Sequence, residues 1–445
     1  QAADWSRFRG PNGTGVDDSS PLPEEFGPDK SVLWKIDLPS SASSPVFAES
    51  AVFVTTSDEE NLIVQRINAK TGKLEWKSKI KRARNSKIHV QNDSASPTPV
   101  VDGENLYAFF QELGVVSFDL EGSHRWTLPL EPFKQFYGMS GSPILTKDLV
   151  ILQCDQQQNA YLIAINKSDG TLRWKADRSI RGSSWTTPVA FPSTENASSI
   201  IVHGNGYLDA YLVEDGTRQW ASPGYGSLPT TSPFLNGAQL FATAAPSTDP
   251  DGSGFQLETF EALAKKHDKN QDLKITKEEL KGNLLAGEFG WGDMDKDGFI
   301  SQKEYETIYE EFYTDDYGIY AVDLNKSSTA KPELLWQYRG SLPYITTPVL
   351  YRNIIFFMDQ KGYLNSIDAA NGEPLKRERI PGLRGQFYAS LVAGDGKIYV
   401  AGLTGKVAVL SAEADWQVIS VNDLDDRISA TPALSNGHLY IRTKN

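Results

Sequence analysis

One unit recurs along this 445-residue chain at intervals of about 44 residues. Each copy opens with a small or polar residue followed by proline, at Pro45, Pro99, Pro143, Pro188, Pro233, Pro348 and Pro432, with Leu391 in the equivalent place of one copy. The intervals between openings are 54, 44, 45, 45, 115, 43 and 41 residues. Because a four-stranded propeller blade takes roughly 40 to 50 residues, the spacing predicts an all-β fold of repeated blades.

Four copies close with a glycine and a tryptophan four residues apart, in TGKLEW, EGSHRW, DGTLRW and DGTRQW. The glycine permits the positive φ of a tight turn between two strands, and the tryptophan offers a large flat surface for the next sheet. The pattern predicts Trp76, Trp126, Trp174 and Trp220 on outer strands. In a later copy Lys376 stands where tryptophan is expected.

The eight openings predict an eight-bladed propeller. The last copy, ISATPALSNGHLYIRTKN, ends before its outer strand, whereas SVLWKIDLP near the other end has the outer-strand pattern around Trp34. We therefore expect strands from the two ends of the chain to complete one blade and close the ring, which leaves no sheet edge exposed.

The repeats resemble the pyrroloquinoline-quinone-type propeller repeats of quinoprotein dehydrogenases and of the propeller lipoprotein of outer-membrane assembly. DWSRFRGPNGTG and HVQNDSASPTPVVDGENLYAFF resemble more narrowly the exported quinoprotein-like propellers of planctomycetes and related bacteria. The resemblance implies the fold more than a function, because propellers host many functions. The quinoprotein dehydrogenases' vicinal cysteine pair is impossible with Cys154 alone, so bound quinone is not expected. A quinone-dependent dehydrogenase stays an alternative.

The interval of 115 residues exceeds its neighbours by about 70 and predicts an insertion into the fifth blade. FQLETFEALAKKH and QKEYETIYEEFY change from strand to helical periodicity there. We expect an N-terminal extension over 1–30, propeller over 31–245, the insertion over 246–316 and propeller again over 317–445.

The insertion contains two twelve-residue loops, DKNQDLKITKEE and DMDKDGFISQKE, with the oxygen-ligand pattern of EF-hand calcium sites. The predicted ligands of the first are Asp268, Asn270, Asp272, the Lys274 carbonyl, Thr276 and Glu279; those of the second are Asp293, Asp295, Asp297, the Phe299 carbonyl, Ser301 and Glu304. The first loop has Leu273 where glycine is expected, so the second is the stronger prediction. We predict two Ca²⁺ ions in a compact, rigid pair.

Net charge supports a cation there. Residues 249–316 carry 18 acidic and 8 basic side chains, a net −10 of the chain's −13. Bound Ca²⁺ would offset that repulsion.

The predicted links at one mouth of the ring are rich in cations and aromatic rings. The candidate ligand-binding residues are Arg82, Arg84, Lys87, His89, Arg181, Trp185, Tyr344, Arg384 and Tyr388. Such residues suit an anionic ligand with flat apolar faces, so the sequence predicts a binding or scaffolding module for an anionic glycan or a protein partner. Alternatively, these arginines and rings only pack the loops and satisfy carbonyls.

Catalysis is left open by the sequence. His89, Tyr137, Arg384 and Tyr388 could supply a base, an acid and a charge neutraliser for a polysaccharide lyase. His203 has the weaker claim of a strand or turn position. No nucleophile elbow, phosphate loop or haem-attachment motif is present.

No apolar run is long enough for a transmembrane helix. A start at Gln-Ala-Ala-Asp, together with the calcium loops, favours a periplasmic or secreted protein. Nucleic acid is not expected as a partner of an exported acidic protein. The sequence does not predict the oligomeric state.

Overall fold

The computed structural model describes residues 5–135, 137–194, 196–244, 258–286, 289–312, 316–325 and 331–444. The described chain is dominated by antiparallel sheets made of strands that follow one another in sequence. Parts of the predicted insertion, residues 246–257, 287–288 and 313–315, lie outside the described residues.

The first four sheets each contain four consecutive strands. They are β1 (Val46–Ala48), β2 (Ala51–Ser57), β3 (Asn61–Asn68) and β4 (Leu74–Lys81); β5 (Val100–Val101), β6 (Asn105–Phe110), β7 (Gly114–Asp119) and β8 (His124–Pro129); β9 (Ile144–Leu145), β10 (Leu149–Cys154), β11 (Tyr161–Asn166) and β12 (Leu172–Asp177); β13 (Val189–Phe191), β14 (Ser199–Gly204), β15 (Tyr207–Leu212) and β16 (Arg218–Pro223). Short 3₁₀ helices lie at Pro11–Gly13 and Ser179–Arg181.

The fifth sheet is interrupted by a helical segment. Its first strands, β17 (Phe234–Asn236) and β18 (Gln239–Ala244), are followed by α1 (Phe260–His267), β19 (Lys274–Thr276), a 3₁₀ turn (Leu284–Ala286), α2 (Phe289–Gly292), β20 (Phe299–Ser301) and α3 (Gln302–Phe312). The sheet resumes with β21 (Gly318–Asp323), paired directly with β18, and β22 (Glu333–Tyr338). The helical segment is thus a true interruption between two paired strands.

Two further four-stranded sheets and one two-stranded sheet follow. They are β23 (Val349–Tyr351), β24 (Ile354–Met358), β25 (Tyr363–Asp368) and β26 (Pro374–Arg379); β27 (Val392–Gly394), β28 (Lys397–Ala401), β29 (Lys406–Ser411) and β30 (Val418–Asp423); β31 (Ala433–Ser435) and β32 (His438–Tyr440).

The hydrophobic core is divided among the spaces between consecutive sheets. Phe53 of the first sheet packs with Phe118 of the second, and each later pair of neighbours shares a similar apolar cluster. One cluster joins Val52 of the first sheet, Tyr399 of the seventh and Leu434 of the last. Because the first and last sheets meet there, the arrangement closes on itself, as in a β-propeller.

The repeated tryptophans join neighbouring sheets. Trp126 is 7% exposed, and its indole N–H donates to the Lys167 carbonyl at 2.8 Å. A Cβ on Gly170 would lie only 2.4 Å from that ring, so the turn glycine makes room for it. Trp76 and Trp174 contact Gly122 and Gly216 in the same way. The Gly-to-Trp spacing therefore encodes contacts between sheets.

In the sixth sheet Lys376 takes the position of the tryptophan. The Lys376 ammonium lies 4.4 Å from the Trp416 ring and donates to the Trp416 carbonyl at 2.8 Å. A cation over the face of an indole is a favourable substitute for ring packing.

The N-terminal closing segment differs from the expectation. Residues 31–45 form no β-strand, although Trp34 has the expected contacts: its N–H donates to Ala69 and its ring lies against Gly72. Trp34 also contacts Tyr440, with 5.9 Å between ring centroids. The segment therefore joins the last sheet through side-chain packing rather than through a backbone ladder.

Residues 5–17 lie against the inner strands, which are the first strands of the sheets, and are anchored there by two buried arginines. Arg9 donates to the carbonyls of Thr347, Pro348 and Leu391, and Arg7 donates to that of Pro188. These contacts bind the segment to inner strands from distant parts of the ring.

Candidate functional site

A belt of hydroxyl side chains surrounds the centre of the ring. Each repeat contributes the residue that precedes its opening proline or leucine: Ser44, Thr98, Ser142, Thr187, Ser232, Thr347, Ser390 and Thr431. Seven hydrogen bonds link them, each running from the backbone N–H of one member to the hydroxyl oxygen of the next, at 2.9–3.1 Å. The belt therefore connects neighbouring repeats in order around a central cavity.

A second ring lies two residues before the belt, because alternate residues of an extended chain point to the same side. Its members are Ala42, Ser96, Ser140, Trp185, Thr230, Ile345, Tyr388 and Ser429. Tyr137 and Tyr344 also line the cavity at this end, which we call the mouth. The mouth thus combines hydroxyl groups with aromatic rings.

The N-terminal segment lies at the opposite end of the cavity. Phe8, between the two anchored arginines, contributes to the lining there. The cavity has a volume of about 640 Å³, within the range of roughly 300–1,000 Å³ usual for small-molecule sites. Among the described residues, the lining contains no Asp, Glu, Lys, Arg or His side chain.

Three of the four predicted ligand-binding arginines have partners within the protein. Arg82 pairs with the buried Glu112 carboxylate at 2.8 Å, and Arg84 donates to the carbonyls of Leu130 and Gln111. Arg181 holds both oxygens of Asp209 at 2.9 Å. Lys87 and Arg384 are exposed and do not line the cavity. Arg82, Arg84 and Arg181 therefore satisfy carbonyl and carboxylate oxygens within the protein.

The predicted aromatic residues, in contrast, come together. Trp185, Tyr344 and Tyr388 all line the cavity. The sequence could not distinguish the rings, which face the cavity, from the arginines beside them, whose partners lie on other repeats.

Three catalytic candidates lie close to the mouth. The His89 ring is 4.8 Å from that of Tyr137, and the Tyr137 ring is 5.7 Å from that of Trp185. Gln91 donates to the Tyr388 hydroxyl at 2.8 Å, which links the 82–93 loop to a repeat on another part of the ring. Arg384, the predicted charge neutraliser, is exposed and is not part of the cavity lining.

Arg181 belongs to a buried ionic network between the third and fourth sheets. Arg178 donates to the carboxylates of both Asp155 and Asp209 at 2.7–2.9 Å, and all three are essentially inaccessible. His203 lies beside this network, and its Nε2 is 2.9 Å from the Tyr225 carbonyl oxygen. Two arginines and two carboxylates balance in charge, as a buried network requires.

The helical segment reaches the mouth. Leu285 contributes to the cavity lining, and Gln158, in the link between β10 and β11, donates to the Met294 carbonyl at 2.9 Å. Its own core contains Phe260, Leu263, Ile275 and Ile300. The segment is thus a small packed unit placed on the mouth side of the ring.

The second acidic loop draws its carboxylates together. One carboxylate oxygen from each of Asp293, Asp295 and Asp297 lies within 4.8 Å of the other two. Partial loss of hydration and the carboxylates of Asp295, Glu304 and Asp293 raise the pKa of Asp297. The Asp293 Oδ1 atom is buried and has no hydrogen-bond partner among the described residues. A cation at this place would satisfy that oxygen and relieve the repulsion.

The first loop has the same framework. β19 pairs with β20 so that Ile275 lies opposite Ile300, and Glu279 accepts from the backbone and hydroxyl of Thr276. Glu304 accepts from Ser301 in the same manner. Leu273 has φ +60 and is 56% exposed, where the second loop has Gly298 at φ +96. The left-handed conformation is therefore kept despite the side chain.

Comparison with known proteins gives one family and several structural relatives. Residues 27–150 match the family described as "Outer membrane protein assembly factor BamB". A protein of that name from Yersinia pestis is 22% identical over 413 residues, which span 87% of this chain and 91% of that protein.

Solved structures agree on the fold. BamB from Moraxella catarrhalis has a TM-score of 0.57 at 12% identity, covering 93% of this chain and 95% of that one. A europium-containing methanol dehydrogenase has a TM-score of 0.57 at 9% identity, covering 97% and 87%. The chain therefore carries PQQ-like repeats and is a β-propeller.

Pyrroloquinoline quinone, the cofactor of the dehydrogenase alternative, does not fit the lining of the cavity. Pyrroloquinoline quinone carries several carboxylates, and an anion in a closed site requires cationic partners. Arg82, Arg84 and Arg181 are engaged within the protein, and the described lining is uncharged. Among the described residues, no helix is both long and apolar enough to cross a membrane.

Proposed function

We propose that this PQQ-like β-propeller is an exported calcium-binding protein that acts as a binding or scaffolding module. The ring has eight blades, the last completed by packing of the Trp34 segment. The helical segment is an EF-hand pair inserted into the fifth blade. The partner is a carbohydrate or a protein that enters at the mouth.

Support for eight blades comes from the hydroxyl belt. It has eight members, one from each repeat, and their bonds run in sequence order. The hydrophobic clusters between neighbouring sheets follow the same order.

The observation that carries the calcium proposal is the buried, unpartnered Oδ1 of Asp293 beside Asp295 and Asp297. Buried oxygens in proteins are almost always satisfied, so this atom requires a partner that the described residues do not supply. Hard carboxylate and carbonyl oxygens select Ca²⁺ or Mg²⁺ over softer metals. Glu304, at position twelve, supplies the last pair of oxygens.

Support for binding rather than turnover comes from the chemistry of the mouth. The aromatic rings and hydroxyl groups form a recognition surface, whereas the predicted charge neutraliser Arg384 is absent from the lining. The relatives named as assembly factors favour a scaffolding role. The uncharged lining argues against the anionic character that the sequence predicted for the ligand.

Export is supported by the same relatives, which are named for the outer membrane. Calcium sites with an imperfect first loop also suit the millimolar calcium outside the cell.

Isothermal titration of the calcium-depleted protein tests the metal assignment. We expect two Ca²⁺ ions, with the tighter site lost in Glu304→Gln and the weaker one lost in Glu279→Gln, because each change removes a bidentate carboxylate. Glu306→Gln, on the exposed face of α3, is the matched control and should bind as the parent does. No calcium uptake by the parent, or equal loss in the control, would contradict the proposal.

The proximity of His89 and Tyr137 keeps the lyase alternative testable. Incubation with uronate polymers is expected to give no rise in ultraviolet absorbance from unsaturated sugars. A rise that His89→Ala abolishes would replace the binding function with catalysis.

A further inference from the structure

The hydroxyl groups of the belt form a set of hydrogen-bond donors around the cavity, which the proposed function does not by itself explain. In the belt, seven hydroxyl oxygens accept a hydrogen bond from the backbone of the preceding repeat. An oxygen that accepts in this way still carries its own hydrogen, which remains a donor. The belt therefore fixes a set of O–H donors around one cavity, and a ligand must offer many acceptor oxygens to use them.

The mouth adds flat apolar surfaces above these donors. Trp185, Tyr344 and Tyr388 line the cavity there, and Phe8 contributes a ring at the opposite end. Two of these rings are held in place: the Trp185 indole donates to the Gly138 carbonyl at 3.0 Å, and the Tyr388 hydroxyl accepts from Gln91 at 2.8 Å. Rings held rigidly can contact a flat ligand without a further entropic cost.

The charge of the lining limits the ligand class. A fully desolvated carboxylate or sulfate needs a cation or a metal nearby. No charged side chain lines the described cavity, and Arg82, Arg84 and Arg181 are engaged by Glu112, by carbonyl oxygens and by Asp209. An uncharged ligand loses less hydration free energy on entering this space.

We infer that the cavity binds an uncharged carbohydrate, inserted as one or a few sugar rings of a neutral glycan. Sugar hydroxyl oxygens accept from the belt, and the apolar faces of the sugar rings contact the aromatic side chains. The anchored N-terminal segment limits entry to the mouth, so the glycan enters with one end. This inference rests on the proposed binding function and names its ligand class.

The direct test is calorimetric titration with neutral oligosaccharides, namely cellohexaose, maltohexaose, laminarihexaose and xylohexaose, beside oligogalacturonate of the same length. Calcium is kept saturating. We expect at least one neutral hexasaccharide to bind, with an affinity that changes less than about twofold between 50 mM and 500 mM salt, because no ion pair is formed. Oligogalacturonate should not bind.

Variants of the lining locate the site. Tyr344→Ala is expected to weaken binding at least about fivefold through lost ring contact. Tyr344 is 50% exposed, so its removal should leave the fold intact. Leu172→Ala, at a side chain that is 48% exposed on β12 and outside the cavity, is the matched control and should not change the affinity.

A second measurement does not depend on calorimetric heat. Cys154 is the sole cysteine and is fully buried, so Ser140→Cys would add one accessible thiol within the lining. The neutral glycan that binds should slow alkylation of this thiol at least about tenfold. Equal alkylation rates with and without a bound glycan would place the glycan elsewhere and overturn the inference.

Three results would overturn the inference while leaving the proposed function standing: no neutral oligosaccharide binds at 10 mM or below, an uronate binds as tightly, or an uncharged peptide alone protects the Ser140→Cys thiol. In each case calcium binding remains to be judged by the Glu304→Gln titration. Conversely, glycan binding without calcium uptake would remove the metal proposal and keep this one.

Discussion

Acidification should destabilise the fold through His203. Its side chain is fully buried, and Nε2 donates to the Tyr225 carbonyl, while Nδ1 has no hydrogen-bond partner among the described residues. Burial lowers the pKa of His203 from 6.5 to about 4, and the nearby Arg178 guanidinium adds to this against the carboxylates of Asp155 and Asp209. The imidazole is therefore neutral in the folded protein at pH 5, whereas it is protonated in the unfolded chain.

The sign follows from proton uptake. Between pH 6.5 and pH 4 the unfolded state binds more protons than the folded state. The contribution of His203 to the unfolding free energy is therefore fully present above the unfolded pKa and is lost as the pH falls towards the folded pKa. With these two pKa values, lowering the pH from 7 to 5 costs about 2 kcal/mol of unfolding free energy.

The assay compares urea unfolding of the parent and His203→Gln at pH 7 and pH 5, with calcium saturating. Glutamine keeps an N–H donor for Tyr225 and does not titrate. Other groups lose stability equally in both proteins, so the parent should lose about 2 kcal/mol more than the variant over this interval. Equal losses would refute the reasoning, since His203 would then be protonated in the folded state or exposed by a local opening.

Three other predictions concern packing and access. Gly170→Ala should lower the unfolding free energy by about 2 kcal/mol more than Gly237→Ala, because both glycines have positive φ but only a Cβ at position 170 would meet the Trp126 ring. Chemical denaturation measures the two unfolding free energies, and equal losses would disprove the tryptophan contact. Arg9→Met should speed proteolysis of the N-terminal segment at least about tenfold by leaving its carbonyl acceptors unpaired; unchanged cleavage would show that other contacts hold it. Burial raises the pKa of the Cys154 thiol, so the native protein should resist iodoacetamide at pH 8 until it unfolds; rapid alkylation would contradict its burial.

The repeats were predictable because they use local signals. Gly170 and Trp126 lie in adjacent units, and four units show the same glycine and tryptophan at the same spacing. The positions of the belt were also predictable, since a small or polar residue precedes the proline in the repeated unit. Its bonds between repeats were not predictable, because they join residues more than 40 positions apart.

The roles of the arginines required the structure. Arg82 and Arg181 fit a basic mouth by sequence, but their partners Glu112 and Asp209 lie about 30 residues away. A basic side chain beside a predicted funnel can face a ligand or pair with a buried carboxylate of the protein. The sequence pattern is the same in both cases. The closing segment around Trp34 was similarly ambiguous, because its apolar pattern suits either a strand or packing without a ladder.

Arg442 has consequences for how the protein is made. It donates to the carbonyl of Pro39 and to both Ser43 and Thr55, near the opposite end of the chain. During synthesis the apolar flanks of the first and seventh sheets stay uncovered until β31, β32 and Arg442 have been made. Until then the ring is open, and its first and seventh sheets each expose an apolar face. Premature release of the polypeptide should therefore cause aggregation rather than give a smaller folded ring.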